Sequence, residues 1–277
     1  MDKEIQISEG TKKTGKIKNI PLLILEVCVL LIAIGIMYVV TTTTKEVDRV
    51  ALDQKQITIN DEVAETMATT SEKQQLGYRN VALFGVDARD GELGKGTRSD
   101  TIIIASINQD TQEIKLVSVF RDTYLNLGND SYNKCNAAYA KGGPEQAINM
   151  LNSNLDLDIT DYVTVGFAGL IDAVDALGGI EMDVKDAEIS HLNNYQLCMA
   201  QELGVDYIPV KESGKQLLNG MQATAYCRIR YTKGDDFRRA ERQRDVLTAM
   251  MNKAKLASVS DLTNMVNAVL PQVQTSL

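Results

Sequence analysis

The longest apolar run in the chain extends from Ile20 to Val40 and carries one charged residue, Glu26. A helix over these 21 residues would be roughly 30 Å long, enough to cross the hydrocarbon core of a bilayer. Lysines are frequent just before the run, and such residues stay on the cytoplasmic side. The pattern predicts a single-pass anchor in the cell membrane, with residues 1–19 cytoplasmic and everything after Val40 extracytoplasmic.

The polar and apolar pattern changes again after the predicted anchor. Residues 41–78 are polar, with no Pro and no Gly before Gly77, which predicts a stalk that holds a domain off the membrane. From residue 79 to residue 277, short apolar runs alternate with segments of helical spacing. This alternation is typical of one α/β domain.

Within 79–277, the apolar runs predict strands and the longer amphipathic segments predict helices. The second and third strands are joined by a short polar loop, so they are expected to form a hairpin. A strand–helix–strand unit in the middle predicts a partly parallel sheet covered by helices. The predicted strands are residues 80–86, 101–107, 114–120, 162–165 and 180–184, and the predicted helices are residues 136–140, 145–154, 167–177, 213–226 and 259–273. Residues 186–207 are predicted to be irregular.

Composition narrows the classes of function. The net charge is −8 and the isoelectric point is about 4.9, which argues against a nucleic-acid-binding protein. The cysteines lack C-x-x-C spacing and the chain has one histidine, His191, so a zinc site is not expected. Cys198 and Cys227 could form a disulfide outside the cell, a pairing that sequence does not decide.

The stretch from Tyr226 to Arg244 holds six arginines in this acidic chain. If its first part is extended, the side chains of Arg228 and Arg230 leave the same face. A turn around Gly234 is then expected to lead into a helix over residues 237–255, with Asp235 or Asp236 as the N-cap. On that helix, one face near the start carries Arg239, Arg242 and Gln243.

A planar guanidinium suits phosphate oxygens, and a helix N-terminus favours anions. The stretch therefore predicts a site for a phosphorylated, polyanionic ligand. The alternative is a solvated basic helix whose arginines pair with Asp235, Asp236 and Glu241.

Two acidic residues flank the first two predicted strands. Asp87 ends one strand and Asp100 begins the next, so neighbouring strands would bring both carboxylates to one end of the sheet. Two carboxylates beside phosphate-binding arginines could hold Mg²⁺. The alternative is that Asp87 pairs with Arg89 or Arg98 and that Asp100 caps a turn. Arg121 and Asp122 form another charged pair at the end of the third strand.

Six motifs in this order together resemble the LytR-CpsA-Psr family of cell-wall enzymes, from about Tyr78 to Leu277. They are Gly85-x-Asp87-x-Arg89, Arg98-Ser99-Asp100-Thr101, Arg121-Asp122-Thr123, Asn136-Ala-Ala-Tyr-Ala-x-Gly-Gly-Pro144-Glu145, Val174-Asp-Ala-Leu-Gly-Gly179, and Arg228-x-Arg230-Tyr231 followed by Arg239-x-x-Arg242-Gln243. The resemblance implies a mixed central β-sheet flanked by helices in three layers, with a long apolar pocket for a prenyl chain.

The resemblance also implies a function. A Mg²⁺-dependent phosphotransferase would move an anionic or capsular glycopolymer, such as a teichoic acid, from undecaprenyl pyrophosphate to peptidoglycan. Carried over by position, Asp87 and Asp100 would hold Mg²⁺, or Mn²⁺ in its place. The pyrophosphate-binding set would comprise Arg89, Arg98, Lys134, Arg228, Arg230, Arg239, Arg242 and Gln243, and the catalytic set Arg121, Asp122 and Asp236. Either Asp122 or Asp236 could be the general base.

Two departures from the family pattern concern the arginine stretch and the chain end. Arg238 stands where relatives often have glycine, and the chain stops at Leu277 where relatives usually continue.

The expected partners are a polyprenyl-pyrophosphate-linked glycan, peptidoglycan and the membrane, without nucleic acid. Two alternatives are a non-catalytic or regulatory protein that binds wall polymer or prenyl lipid, and a pyrophosphatase that uses water as the acceptor.

Overall fold

The computed structural model describes residues 48–72, 77–86, 93–128, 130–230 and 232–277. Within the described residues, no helix combines the length and the apolar character that crossing a membrane requires. Glu46–Leu277 forms one compact unit.

Several predictions fall on other parts of the chain. The cytoplasmic tail at residues 1–19 and the anchor at residues 20–40 lie outside the described residues, as do Asp87 and Arg89. For these positions the sequence-based predictions stand as predictions.

Across the residues that the structure describes, ten strands are distributed over three sheets. They are β1 (Asp48–Arg49), β2 (Tyr78–Val86), β3 (Ser99–Asn108), β4 (Ile114–Ser118), β5 (Tyr124–Asn126), β6 (Tyr132–Lys134), β7 (Asp161–Val165), β8 (Ile180–Val184), β9 (Gly214–Leu218) and β10 (Val273–Thr275).

The described helices are seven α-helices and one short 3₁₀ turn. They are α1 (Asp61–Glu72), α2 (Asn136–Leu155), α3 (Phe167–Ala176), α4 (Asp186–Leu203), α5 (Gly220–Arg228), α6 (Asp235–Leu256), α7 (Val259–Val269) and the 3₁₀ turn Leu270–Gln272.

The main sheet has the strand order β1-β10-β7-β2-β3-β4. The β1–β10 and β2–β7 pairs are parallel, and the other pairs are antiparallel. The predicted α/β class with a mixed central sheet flanked by helices is confirmed, and so is the β3–β4 hairpin. The other two sheets are the hairpins β5–β6 and β8–β9.

Alternation along the central strands separates two sides of the sheet. Ala82 and Ile102 belong to a core that includes helix α2. Leu83, Ile103 and Val163 point instead into a cavity that helices α3, α5 and α6 close from the other side. A second core lies among β8, β9 and helices α4 to α6. The cavity thus lies where the sheet faces this second core.

The predicted break in the helix at the glycine pair is confirmed. Helix α2 has a non-helical residue at Gly143, with φ of 69° and ψ of −158°, and Pro144 follows it. A positive φ is accessible to glycine at low cost. The interruption therefore separates two helical segments at the predicted place.

The predicted βαβ unit is wrong in its pairing. Strand β7 belongs to the main sheet, whereas β8 pairs antiparallel with β9 in a separate sheet. The parallel partner of β7 is β2. The strand–helix–strand pattern located the three elements, but the apolar pattern does not show which strands pair.

Two predictions after β8 are also wrong. Residues 186–207 contain helix α4, whose N-terminus is closed by Glu188, since the carboxylate accepts from the backbone N–H of Lys185 at 2.9 Å. The helix buries Gln196 together with Leu192, and a polar residue on the buried face masks the helical pattern. The predicted helix at 213–226 is strand β9 followed by helix α5.

The two ends of the domain differ from prediction as well. The segment predicted as a stalk contains β1, which pairs with β10, and Leu52, which is buried in the first core. It therefore contributes to the folded unit instead of acting only as a spacer. The predicted last helix ends at Val269, and β10 returns antiparallel to β7 as an additional strand.

Candidate functional site

A cavity of about 320 Å³ lies between the main sheet and helices α3, α5 and α6. Its wall is largely apolar, and its charged residues come from β3 and from the arginine stretch. Val163, Val165, Phe167 and Leu170 are among its apolar lining residues. The lining residues that carry charge or an amide are Asp100, Arg228, Arg230, Arg239 and Gln243.

The backbone conformation that brings the arginine stretch to the cavity differs from the predicted one. Arg228 is the last residue of helix α5, so the extended conformation predicted for this part is wrong. At Ile229 the backbone leaves the helix with φ of −56° and ψ of 123°. Arg228 and Arg230 nevertheless both line the cavity, as the phosphate-site prediction requires.

The predicted turn and the next helix bring in the remaining arginine. Gly234 has φ of 101°, and the N–H of Asp235 donates to the carbonyl of Thr232 at 2.9 Å. Helix α6 starts at Asp235 with Gly234 at the N-cap position, so Asp235 and Asp236 lie in the first turn and neither is the cap. Arg239, one turn further on, is 8% exposed and lines the cavity.

Several guanidinium nitrogens around the cavity are buried without a hydrogen-bond acceptor among the described residues. They are Nε of Arg121, Nη1 of Arg228, Nε of Arg230 and Nε of Arg239. A buried donor without an acceptor is costly, and more so when it is charged. Three of these arginines, Arg228, Arg230 and Arg239, line the cavity, so their donors fit an anionic ligand that would accept from them.

Aromatic rings orient Arg228. Its guanidinium carbon lies 4.4 Å from the ring centre of Phe167 and 5.5 Å from that of Tyr195. A cation over an aromatic face is stabilised without using its N–H donors. The donors of Arg228 therefore remain directed by the rings and available to a ligand.

Arg121 connects the cavity to the carboxylates on the solvent side. Its Nη1 donates to Oδ1 of Asp100 at 2.7 Å, and its Nε lies 3.7 Å from Oδ2 of Asp122. Burial lowers the pKa of Arg121. The hydrogen bond to Asp100 and the charges of Asp100 and Asp122 together outweigh burial, so the pKa lies above its ordinary value. Arg121 therefore stays cationic beside the cavity.

Asp122 also binds Lys134. The ammonium Nζ lies 2.9 Å from Oδ1 of Asp122. This hydrogen bond, opposed by burial and aided by the charge of Arg121, lowers the pKa of Asp122. The structure thus brings together three of the predicted residues, Arg121, Asp122 and Lys134, next to Asp100.

Asp236 lies between two of the cavity arginines. Its Oδ1 is 3.2 Å from Nη2 of Arg230 and 3.5 Å from Nη2 of Arg239. Burial and the neighbouring cation of Arg121 lower the pKa of Arg239, although Asp236 opposes the shift. Asp236 therefore holds two guanidinium groups in place.

Arg242 and Arg98 are placed differently from the rest of the predicted set. Arg242 is 1% exposed, and its Nε donates to Oε1 of Glu188 at 2.9 Å. It is not among the residues that line the cavity, so the structure separates it from the cavity arginines, and its binding of pyrophosphate stays a prediction. Helical spacing placed it beside Arg239 and Gln243, but the helix turns its side chain toward α4. Arg98 is exposed and does not line the cavity either.

Of the two residues of the predicted metal site, Asp100 lies within the described residues. Asp100 lines the cavity, and the strand that precedes Asp87 pairs with the strand that contains Asp100. Within the described residues, no group of three or more His, Cys, Asp or Glu side chains could hold a metal ion. Asp100 could contribute to holding a cation together with oxygens of a bound phosphate, as carboxylates commonly do for Mg²⁺.

The described cysteines and His191 lie outside the set of charged cavity residues. Cys135, Cys198 and Cys227 are free thiols, so the possible Cys198–Cys227 disulfide is not formed. Burial raises the pKa of Cys135 to about 11 and that of Cys227 to about 12. His191 lies on helix α4.

Sequence reasoning missed three cavity residues. Tyr195 supports Arg228 but lies in the segment predicted to be irregular. Thr101 and Thr224 line the cavity, and the Thr224 hydroxyl is buried without a partner among the described residues. The Arg98-Ser99-Asp100-Thr101 motif was a signal for Thr101, whereas a lone threonine before the arginine stretch gives none.

The model of the LytR_cpsA_psr family matches residues 34–277. The chain belongs to this family. A curated relative from Enterococcus faecalis, named polyisoprenyl-teichoic acid–peptidoglycan teichoic acid transferase TagU, is 35% identical over 215 residues, which is 75% of this chain and 66% of the relative. The matches to the first three curated relatives cover 66%, 58% and 50% of their lengths, so this chain spans less than two thirds of them.

Solved structures show the same fold. TagT bound to LI-WTA aligns with a TM-score of 0.58 and 26% identity, covering 73% of this chain and 70% of TagT. The LytR-CPS2A-psr family protein YwtF (TagT) with bound octaprenyl pyrophosphate lipid aligns with a TM-score of 0.52 and 26% identity, over 70% of this chain and 74% of that one.

Proposed function

We propose that this family member is a membrane-anchored phosphotransferase that moves an anionic or capsular glycopolymer from undecaprenyl pyrophosphate to peptidoglycan. One observation carries the proposal: an apolar cavity whose charged lining consists of three arginines and one aspartate. A ligand with a hydrocarbon chain joined to a pyrophosphate has the matching distribution of polarity. The bound lipid in the YwtF (TagT) structure and the name of the TagU relative support this choice.

The prenyl chain would occupy the apolar part of the cavity. Leu83, Ile103, Val163 and Leu170 come from both the sheet and helix α3, so the chain would be enclosed from two sides. Burial of hydrocarbon there would contribute about 25 cal/mol for each Å² removed from water.

The pyrophosphate would lie among Arg228, Arg230 and Arg239. Each of these arginines has a buried nitrogen that lacks an acceptor among the described residues. Phosphate oxygens would accept from these donors in charge-assisted hydrogen bonds, which are stronger than neutral ones. Because the transition state spreads negative charge over the same oxygens, arginines fixed in advance would also lower the barrier.

In the proposed reaction, an acceptor hydroxyl attacks the phosphorus that is bonded to the glycopolymer. The bond from this phosphorus to the bridging oxygen breaks, and prenyl phosphate leaves with the bonding electrons. The product is a phosphodiester between the glycopolymer and the acceptor. The hydroxyl proton passes to a carboxylate, for which Asp122 and Asp236 are the two candidates: their side chains are 38% and 31% exposed, and each is paired with two cations.

A divalent cation fits the acidic side of the site. Asp100 would hold Mg²⁺ or Mn²⁺ together with phosphate oxygens, and Asp87 is the second acidic residue that the family motif provides. Such an ion would neutralise charge that develops on the phosphoryl oxygens. Arg121 would orient the Asp100 carboxylate through their hydrogen bond of 2.7 Å.

The test combines the full 277-residue chain in detergent with a prenyl-pyrophosphate glycan, Mg²⁺ and peptidoglycan oligomers. Linked product that requires the metal and disappears in Asp100→Ala supports the transferase. Asp110→Ala is the matched control, since Asp110 is exposed in the β3–β4 turn. EDTA is expected to abolish transfer, and added Mg²⁺ or Mn²⁺ to restore it.

Other outcomes would contradict the proposal and identify an alternative. Lipid binding without turnover in the wild type, under conditions in which a known relative turns over, would favour a binding or regulatory protein. Release of phosphorylated glycan without a linked product would favour a pyrophosphatase with water as the acceptor.

A further inference from the structure

Two exposed tyrosines stack on the β5–β6 hairpin. The ring centres of Tyr124 and Tyr132 are 5.9 Å apart with an interplanar angle of 27°. The side chains are 69% and 59% exposed, although each ring would bury considerable apolar area in an ordinary core. We call this pair the tyrosine platform.

We propose that the tyrosine platform binds sugar rings of the acceptor glycan. This inference rests on the proposed function and deepens it, because it assigns residues to the acceptor side of the same site. A pyranose ring has an apolar face of C–H groups and an edge of hydroxyls. Tyrosine has the matching form, since its ring is apolar and its hydroxyl can donate and accept hydrogen bonds.

The hairpin joins the platform to the charged site. Tyr124 is the direct cross-strand partner of Lys134, so their side chains share a face with Tyr132 two residues away. Lys134 contacts Asp122 at 2.9 Å. The platform, Lys134 and Asp122 therefore form one continuous surface.

The backbone fixes the distance of this surface from the phosphate site. The N–H of Asn136 donates to the carbonyl of Arg121 at 3.1 Å, and that of Cys135 to the carbonyl of Thr123 at 2.8 Å. These bonds extend the hairpin pairing up to Arg121. Residues 121 and 122 form a turn, so Tyr124, three residues beyond Arg121, lies at most about 10 Å from it. This separation is suited to a sugar one or two units away from the reacting hydroxyl.

The geometry of the reaction favours the acceptor over the donor as the occupant. In phosphoryl transfer, the attacking and leaving oxygens are roughly in line on opposite sides of the phosphorus. The leaving prenyl phosphate would belong to the cavity, so the acceptor must approach from the solvent side. Asp122, Lys134 and the platform are exposed on that side.

The other face of the hairpin explains why the tyrosines are held firmly enough to bind. Leu125 packs against the first core, and Leu127 is fully buried in it. The hairpin is thus fixed by its inner residues, and the tyrosines on its outer face make no contribution to that core. An arrangement of this kind lets the rings be presented with little loss of rotamer freedom on binding.

The test measures the binding of a soluble peptidoglycan tetrasaccharide to the full chain with no donor present. Tyr124→Ala and Tyr132→Ala are expected to weaken binding about tenfold each, as removal of an aromatic stacking partner does in other ligands. Tyr132→Trp keeps a stacking surface and should bind within about twofold of the wild type. Tyr78→Ala is the matched control, because Tyr78 is an exposed tyrosine on β2 away from the platform.

A second arm measures binding of the prenyl-pyrophosphate glycan and of glycan-free anionic vesicles to the same variants. Unchanged donor and vesicle binding, with weakened tetrasaccharide binding, supports the inference. Unchanged tetrasaccharide binding overturns it, as does a loss that falls mainly on the donor or on the vesicles. The binding assay involves no turnover. Absence of transfer activity would therefore count against the proposed function alone, and the tetrasaccharide-binding result would still test the tyrosine platform.

Discussion

Nε of Arg242 donates to Oε1 of Glu188 at 2.9 Å, and Nη2 of the same guanidinium lies 2.8 Å from that oxygen, in the interior of the domain. The same guanidinium donates from Nη1 to the carbonyl of Ile229 at 3.1 Å and from Nη2 to Oγ1 of Thr232 at 2.8 Å. These two acceptors flank Arg230, which lines the cavity. Arg242 thus shapes the segment that carries a ligand-binding arginine without lining the cavity itself.

Arg242→Ala is expected to destabilise the fold. Removal of one partner leaves the buried Glu188 uncompensated, at a cost of about 3–5 kcal/mol in the free energy of unfolding, measured by urea titration. Arg79→Ala is the control, since the Arg79 side chain in its ion pair with Asp161 is 50% exposed, and should cost less than about 1 kcal/mol. Arg242→Met combined with Glu188→Leu is expected to recover most of the loss. Near-normal stability of Arg242→Ala would contradict a structural role.

Arg228→Ala is expected to have the opposite profile. Its guanidinium lies over Phe167 and lines the cavity, so its loss should lower the rate of transfer by about 100-fold or more with the fold intact. Arg228→Lys should be nearly as impaired, because an ammonium lacks the planar fork. Arg121→Ala is expected to behave like Arg228→Ala. Steady-state rates and urea midpoints check these variants together, and a near-normal rate in either alanine variant would contradict its assignment.

Leu170→Trp is expected to obstruct the cavity. Leu170 lines it and packs beside the second core, so the larger ring would occupy space that the prenyl chain needs. Binding of a polyprenyl pyrophosphate should weaken at least about tenfold, while overpacking costs about 1–3 kcal/mol of stability. Leu217→Trp, at a position that is 61% exposed, is the control for the added ring. Equal lipid binding in both variants would place the chain elsewhere.

The three described thiols are expected to react differently. Burial raises the pKa of Cys135 to about 11 and of Cys227 to about 12. A raised pKa keeps the thiol protonated up to a higher pH, and the thiolate is the nucleophile. In the folded protein, iodoacetamide should label exposed Cys198 and should spare the other two thiols until the protein is unfolded. Peptide mapping by mass spectrometry provides the measurement, and native labelling of Cys227 would contradict its burial.

Apolar periodicity was sufficient for the central strands. The runs at β2, β3 and β4 are strongly apolar and bounded by polar residues, so their positions and the hairpin were predicted correctly. It was insufficient where buried faces contain polar residues, as in helix α4 with Gln196 and Glu188. Strand β10 has three residues, Val273–Thr275, which is too short for a periodic signal.

For the site as well, the sequence predicted some features correctly and others not. Arginine-rich composition near a turn was enough to predict an anion site, and Arg228, Arg230 and Arg239 do converge on one cavity. Helical spacing could not show that Arg239 and Arg242 face different neighbours. Residues three apart point in directions that differ by only about 60° around the helix axis. Which of the two faces the cavity depends on the position of α4, and that element was not predicted.

The cavity lies between two cores that are each packed on their own. A prenyl chain placed there would join them into one continuous interior, with the carbon atoms of the carrier acting as part of the protein's own packing. Binding would then raise the resistance of the domain to heat in proportion to the logarithm of lipid concentration. The spent carrier would be retained for the same reason, so departure of prenyl phosphate, rather than formation of the new bond, would set the pace of successive turnovers.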